Sequence, residues 1–168
     1  MGNEKKQDGK LLSGIRKAND WVVILVFIAL TLTVVLQVFF RYVLQHSLRW
    51  TEEAARYLLI WLVLLGSAVA MRHRAHLQVD ILTAALPPKP RRILESLISI
   101  LTLIFLAIMT VQGAYVVTVT ISQVSPAMQL PMGLVYAALP IGGVLTFMET
   151  AISFGHSLKP AAPENEGG

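Results

Sequence analysis

The stretch Ser96–Met148, SLISILTLIFLAIMTVQGAYVVTVTISQVSPAMQLPMGLVYAALPIGGVLTFM, runs for 53 residues without one Asp, Glu, Lys, Arg or His. As one helix it would be about 80 Å long, more than twice the roughly 30 Å of a bilayer's hydrocarbon core, so it must turn once. Ser125–Gly133 (SPAMQLPMG) marks the place, with two helix-breaking prolines beside Gln129 and Gly133. The stretch therefore reads as two membrane spans, about 96–124 and 132–154. Inside the second, Pro140 removes a helical hydrogen bond and predicts a kink.

Two further charge-free windows lie upstream, Trp21–Phe40 and Tyr57–Met71. The first gives a span at about 21–41 and is read as a retained anchor, because its apolar run exceeds the roughly 7–15 residues of a signal peptide and no small-residue cleavage site follows. The second is short and must extend to about 54–73 to cross. Trp50, Ala54, Tyr57, Leu58, Trp61 and Leu65 form one helical stripe, and Thr51 is a suitable N-cap. The windows hold 20, 15 and 53 residues, 88 in all, and every charge sits in the other 80.

Composition agrees. Of 168 residues 55% are hydrophobic and 14% charged, against about 25% charged in soluble domains. The expected fold is an all-α integral membrane protein of four transmembrane helices, with an arm at 1–20, a membrane domain at 21–155 and a flexible tail at 156–168. Leu86–Pro90 breaks the chain before the third span. Cysteine is absent, which excludes disulfides, thiolate metal sites and thiol redox chemistry. A formal charge of +4 is too small and too dispersed for nucleic-acid binding.

The basic residues instead set a topology. Lys5, Lys6, Lys10, Arg16 and Lys17 precede span one, Arg72, Arg74, Lys89, Arg91 and Arg92 lie between spans two and three, and Lys159 follows span four. Four spans put these 11 on one side, against Arg41, Arg49 and Arg56 on the other. Both termini are expected in the cytoplasm.

Few residues offer chemistry. His73, His76 and Asp80 have the spacing of metal ligands, but no further ligand accompanies them, and a polar segment leaving the membrane with a His–Asp hydrogen bond is the favoured reading. Adjacent helical residues point about 100° apart, so Glu52 and Glu53 do not converge as an acid–base pair. An ion pair with Arg56, four and three residues on, or contact with a partner protein, suits them better. Arg41 caps or snorkels at the end of span one. Gly66, Ser67, Ala68 and Ala70 give span two a small-residue face that permits close helix approach. No ionisable residue occupies the 88-residue inventory, whereas a pump or transporter acting alone needs one. No His lies in a span to ligate haem, and no nucleophile, P-loop or metalloprotease motif occurs. The residues describe an integral scaffold that assists another subunit, without catalytic, cofactor or metal site.

Phe40-Arg41-Tyr42, Trp50–Tyr57 (WTEEAARY) running into Trp61 and Gly66, His76 with Asp80, and Leu130, Pro131, Gly133, Tyr136, Pro140 and Gly142 together resemble the small four-span membrane subunit of tripartite ATP-independent periplasmic (TRAP) transporters. The likeness covers about Trp21 to Glu149, although the acidic pair, often Asp-Glu in that family, is Glu52-Glu53 here. The resemblance implies a multi-pass protein of the bacterial inner membrane whose partners are a large permease subunit of roughly twelve spans, carrying the sodium and substrate sites, and a periplasmic solute-binding protein. It implies ion-gradient-driven uptake of an organic anion such as a dicarboxylate, keto acid or sugar acid, with the small subunit bracing the stationary part of an elevator-type transporter and catalysing nothing. Arg41, Glu52, Glu53 and Arg56 would then serve one face, His76 and Asp80 the other, and Pro131, Gly133, Tyr136 and Pro140 would shape the last turn and helix. The rival readings are a small homodimeric four-span exporter, which should carry an acidic residue in a span, and the membrane anchor of an enzyme complex.

Overall fold

Long apolar runs flanked by polar residues fold as long helices in the computed structural model, which describes residues 2–46, 48–74 and 88–157. The elements are α1 (Gly2–Tyr42), α2 (Arg49–Arg74), α3 (Pro88–Thr120), the short α4 (Met132–Tyr136) and α5 (Ala138–Ser157). Among the described residues, four segments are long and apolar enough to cross a membrane: Leu12–Tyr42, Arg49–His73, Ile93–Thr120, and Met132–Gly155, which joins α4 and α5. The all-helical four-span expectation holds.

Boundaries differ in instructive ways. Residues 2–20 are helical and continuous with the first span in α1. Thr51 is not an N-cap: α2 starts two residues earlier, and the fully buried Thr51 hydroxyl donates back to the Leu48 carbonyl at 2.7 Å. The fourth span is broken where the proline requires it. Without an N–H, Pro140 cannot bond the Tyr136 carbonyl, and α4 ends there while Ala137 N donates to Gly133 O at 2.9 Å. At the start of α3, Pro88 and Pro90 occupy the first turn, where a missing N–H costs least.

The spans pack as a row. α1 lies on α2, α2 on α5 and α5 on α3, so α5 is central and α1 and α3 are the outer members. Glycine makes this possible. A Cβ on Gly142 would stand 2.8 Å from both Cβ and the carbonyl oxygen of Leu64 in α2, and one on Gly113 2.8 Å from Leu139 Cβ of α5. On Gly143 it would collide with Thr110 Oγ1 of α3. Gly66 makes no such approach, having nothing within 4 Å of its would-be Cβ, although its neighbours Ala68 and Ser67 do pack. Ser67 Oγ donates to Leu64 O at 2.7 Å, which leaves the Thr146 hydroxyl to donate to Ser67 Oγ at 2.8 Å. The buried apolar core is small, comprising Ala54, Leu65, Ala68, Leu106, Val135 and Ala138 among the described residues. Most large apolar side chains of α1 and α3 point outward, the arrangement of a protein whose solvent is hydrocarbon.

Candidate functional site

Two polar clusters tie the row together, one at each end. At the end where α3 gives way to α4, residues 121–131 form a hairpin. An isolated bridge pairs Val124 with Pro131, Met132 N donates to Gln123 O at 2.8 Å, and Ser125 N to Leu130 O at 2.9 Å. The fully buried Ser125 also accepts from Leu130 N at 3.3 Å through its hydroxyl, and Gln129 adopts φ 54°. Gly133 lets this hairpin close, since a Cβ there would lie 3.0 Å from Ile121 Cα.

Glu53 of α2 holds the hairpin from the side. Its two carboxylate oxygens accept from the backbone N–H groups of Ala127 and Met128, each at 3.0 Å. The expected ion pair with Arg56 is not formed by either glutamate: Arg56 is exposed and makes no carboxylate contact within 4 Å among the described residues. Glu52 is exposed beside it. Tyr57 adds a second tie, its hydroxyl donating to Met132 sulfur at 3.6 Å. Arg41 is exposed, with its guanidinium 6.0 Å from the Tyr42 ring centre. Trp50 is exposed and lines an open concavity of about 690 Å³ with Gln45, His46, Leu48, Arg49 and Ala127. Trp61 is half-buried along α2, while Tyr136 and Pro140 flank the break between α4 and α5. His76, Asp80 and Lys159 lie outside the described residues.

The opposite end carries residues that were not singled out from sequence. Arg16 of α1 grips Glu149 of α5 side-on, with Nε donating to Oε1 and Nη2 to Oε2, both at 2.6 Å. Glu149 is 7% exposed and Arg16 30%. Arg72 Nη2 donates to Asp20 Oδ1 at 2.5 Å, joining α2 to α1. Between them Asn19 Nδ2 donates to Leu65 O at 3.3 Å. The expectation that the spans hold no ionisable group needs correction here, because the fourth span as drawn, 132–154, encloses Glu149. That acid inside the span was the available signal, since a carboxylate at such depth demands a cation at matching depth. The cavity beside the pair, lined by Ile15, Arg16, Asn19, Ala68 and Arg72 among others, measures about 10 Å³. A space of that size admits one water at most, so no organic substrate fits. Among the described residues no three His, Asp or Glu gather as a metal site.

Residues 30–159 match the model of the tripartite ATP-independent periplasmic transporters, DctQ component. The chain belongs to the TRAP small permease family. It is 32% identical over 132 residues to a Haemophilus influenzae TRAP transporter small permease protein, covering 78% of this chain and 81% of that one. It is 30% identical over 125 residues, 73% of this chain and 55% of the relative, to the C4-dicarboxylate TRAP transporter small permease protein DctQ of Rhodobacter capsulatus. A third relative is the isethionate TRAP transporter permease protein DctMQ of Oleidesulfovibrio alaskensis, 34% identical over 94 residues. That match takes 55% of this chain but only 15% of the relative, so there a small-permease region is one part of a much longer permease polypeptide. This TRAP small permease is accordingly a multi-pass membrane protein and a transporter subunit.

Proposed function

We propose that this TRAP small permease braces the large permease subunit in the bacterial inner membrane, with both termini cytoplasmic, while a periplasmic solute-binding protein delivers an organic anion. The observation that carries this reading is the pairing of Glu149. The carboxylate within the fourth span is locked side-on by Arg16 beside a cavity of about 10 Å³, which gives it a structural use and leaves it unsuited to carrying an ion. An open row of spans with outward apolar faces likewise suits a part that enlarges a partner's footprint in the bilayer. The concavity around Trp50, Arg49 and His46 lies at the end assigned to the periplasm, where Arg41, Glu52, Glu53 and Arg56 also stand. An organic anion, such as a dicarboxylate, keto acid or sugar acid, is the proposed cargo; C4-dicarboxylate and isethionate, named for two relatives, are both organic anions.

Reconstitution tests it. Vesicles holding both membrane subunits, supplied with the cognate receptor and an ion gradient, should accumulate substrate, and vesicles holding this chain alone should not. Uptake by this chain alone would overturn the bracing role. A reporter fused after Lys159 should be active only in the cytoplasm, and activity outside would reverse the topology.

A further inference from the structure

Along α3, Leu101, Phe105, Ile108, Gln112, Tyr115 and Val119 recur at alternating spacings of four and three residues and are all exposed. That is the spacing of a helix seam meeting another helix. The four wholly apolar ones would be content in lipid, as would Tyr115, about 8 Å of helix from Thr120, whose hydroxyl can reach the interface. Gln112 would not: it stands about 12 Å of helix from Thr120 and about 25 Å from Glu95, which is within the hydrocarbon.

Its amide is handled differently from every threonine on the same helix. Thr102, Thr110, Thr118 and Thr120 each return their hydroxyl to a carbonyl three or four residues back. Gln112 makes no hydrogen bond among the described residues, and lipid tails offer neither donor nor acceptor. An open carboxamide at that depth is satisfied by a polar group on a neighbouring helix. On α1 the exposed Thr31 bonds Phe27 O at 2.9 Å, and Gln37, which also makes no hydrogen bond among the described residues, is half-buried and only about 8 Å of helix from Tyr42 at the end of α1.

We propose that the face of α3 centred on Gln112 is where a transmembrane helix of the large permease subunit docks, the Gln112 amide hydrogen-bonding to a polar group on that helix. The inference rests on the bracing role and adds to it the contact helix and the residue that sets its register, as a lone polar side chain does in a helical seam. The large subunit is favoured over a second copy because in the longer DctMQ relative a single polypeptide contains both the small-permease region and further permease sequence.

The chain has no cysteine, so Ile108→Cys and Tyr115→Cys can each carry a benzophenone photoprobe in membranes containing both subunits. Adducts to the large subunit are expected from both positions and not from Leu25→Cys on the outward face of α1. In detergent, Gln112→Leu should weaken recovery of the large subunit about three- to tenfold, the effect of one interhelical hydrogen bond, while Gln112→Asn keeps most of it. Adducts joining two small subunits, adducts to lipid only, or undiminished recovery with Gln112→Leu would each overturn the proposal. If the unaltered chain recovers no large subunit, the bracing role itself fails and this inference with it. If it does recover the subunit but adducts arise only from α1, the bracing role stands and this inference alone falls.

Discussion

The two ends of the row are fastened by opposite means. At the end bearing Arg16 and Glu149, side chain meets side chain, with two charges sharing a bidentate contact in a place that is 7% exposed for the acid. At the hairpin end Glu53 forms no ion pair within 4 Å among the described residues and instead takes two backbone N–H groups, those of Ala127 and Met128, with the Ser125 hydroxyl and the more distant Arg56 charge in support. The difference follows from what each end offers. Three regular helices converge near Glu149 and their backbone donors are already used, so only a side chain can satisfy the carboxylate. A hairpin has spare N–H groups, and a carboxylate supplies their acceptors. This protein thus uses an ion pair where helices meet and a carboxylate-to-backbone contact where the chain turns.

The sharpest way to break this comparison is to remove Arg16. Arg16→Ala leaves Glu149 buried without a partner, and a loss of about 3 kcal/mol is expected, since stripping one member from a buried pair exposes the full desolvation cost of the other. Glu149→Gln should cost less, about 1–2 kcal/mol, because the 30% exposed Arg16 can turn to water. The double change Arg16→Met with Glu149→Leu should return to within about 1 kcal/mol of the unaltered protein. Denaturant titration in micelles, followed by tryptophan fluorescence, reads all three. Equal losses for Arg16→Ala and the double change would mean that packing, and not charge, holds that end.

Gly142→Ala sharpens the comparison from the middle. The added methyl would press on the Leu64 backbone at 2.8 Å, which cannot swing aside as a flexible side chain would. A loss of about 2 kcal/mol is expected. Both ends should loosen together under this change, whereas Gly66→Ala, with open space around it, should be neutral or slightly stabilising in the same titration.

These residues also show how far the amino-acid sequence was legible. The number of spans follows from charge-free length, because a bilayer imposes a fixed thickness, and the turn near Ser125–Gly133 follows from its two prolines. The break before Pro140 follows from one missing N–H. Glu149 lies just past the edge of a charge-free window, so missing charge does not reveal it, and the charge that answers it is 133 residues away. The helical spacing of Glu53 and Arg56 predicts a side-chain pair, whereas the Glu53 carboxylate bonds backbone amides, which have no signature in sequence. Gly66 and Gly142 look alike as letters, and only the packing of α2 against α5 distinguishes the open position from the crowded one.

Glu53→Ala tests the hairpin end by itself. Amide exchange at Ala127 and Met128 should quicken several-fold. The amides of Ser125 and Met132, which bond within the hairpin, should keep their protection. If all four quicken together, Glu53 holds the hairpin's fold and not merely its position beside α2.

Asp20→Asn should have the smallest effect. The Asp20–Arg72 contact is short at 2.5 Å, yet the acid is 39% exposed and the arginine 20%, so water competes for both. Pairs with a water-accessible carboxylate contribute about 0.2–1 kcal/mol and fade with salt. About 0.5 kcal/mol is therefore expected at low ionic strength and almost nothing at 0.5 M salt, whereas the Arg16→Ala loss should change little. That contrast in salt response, measured on two ion pairs within a few turns of one helix, separates burial from proximity as the source of strength. A salt-insensitive Asp20 effect as large as that of Arg16 would show that the whole terminal end is desolvated, and would place the membrane boundary beyond Asp20.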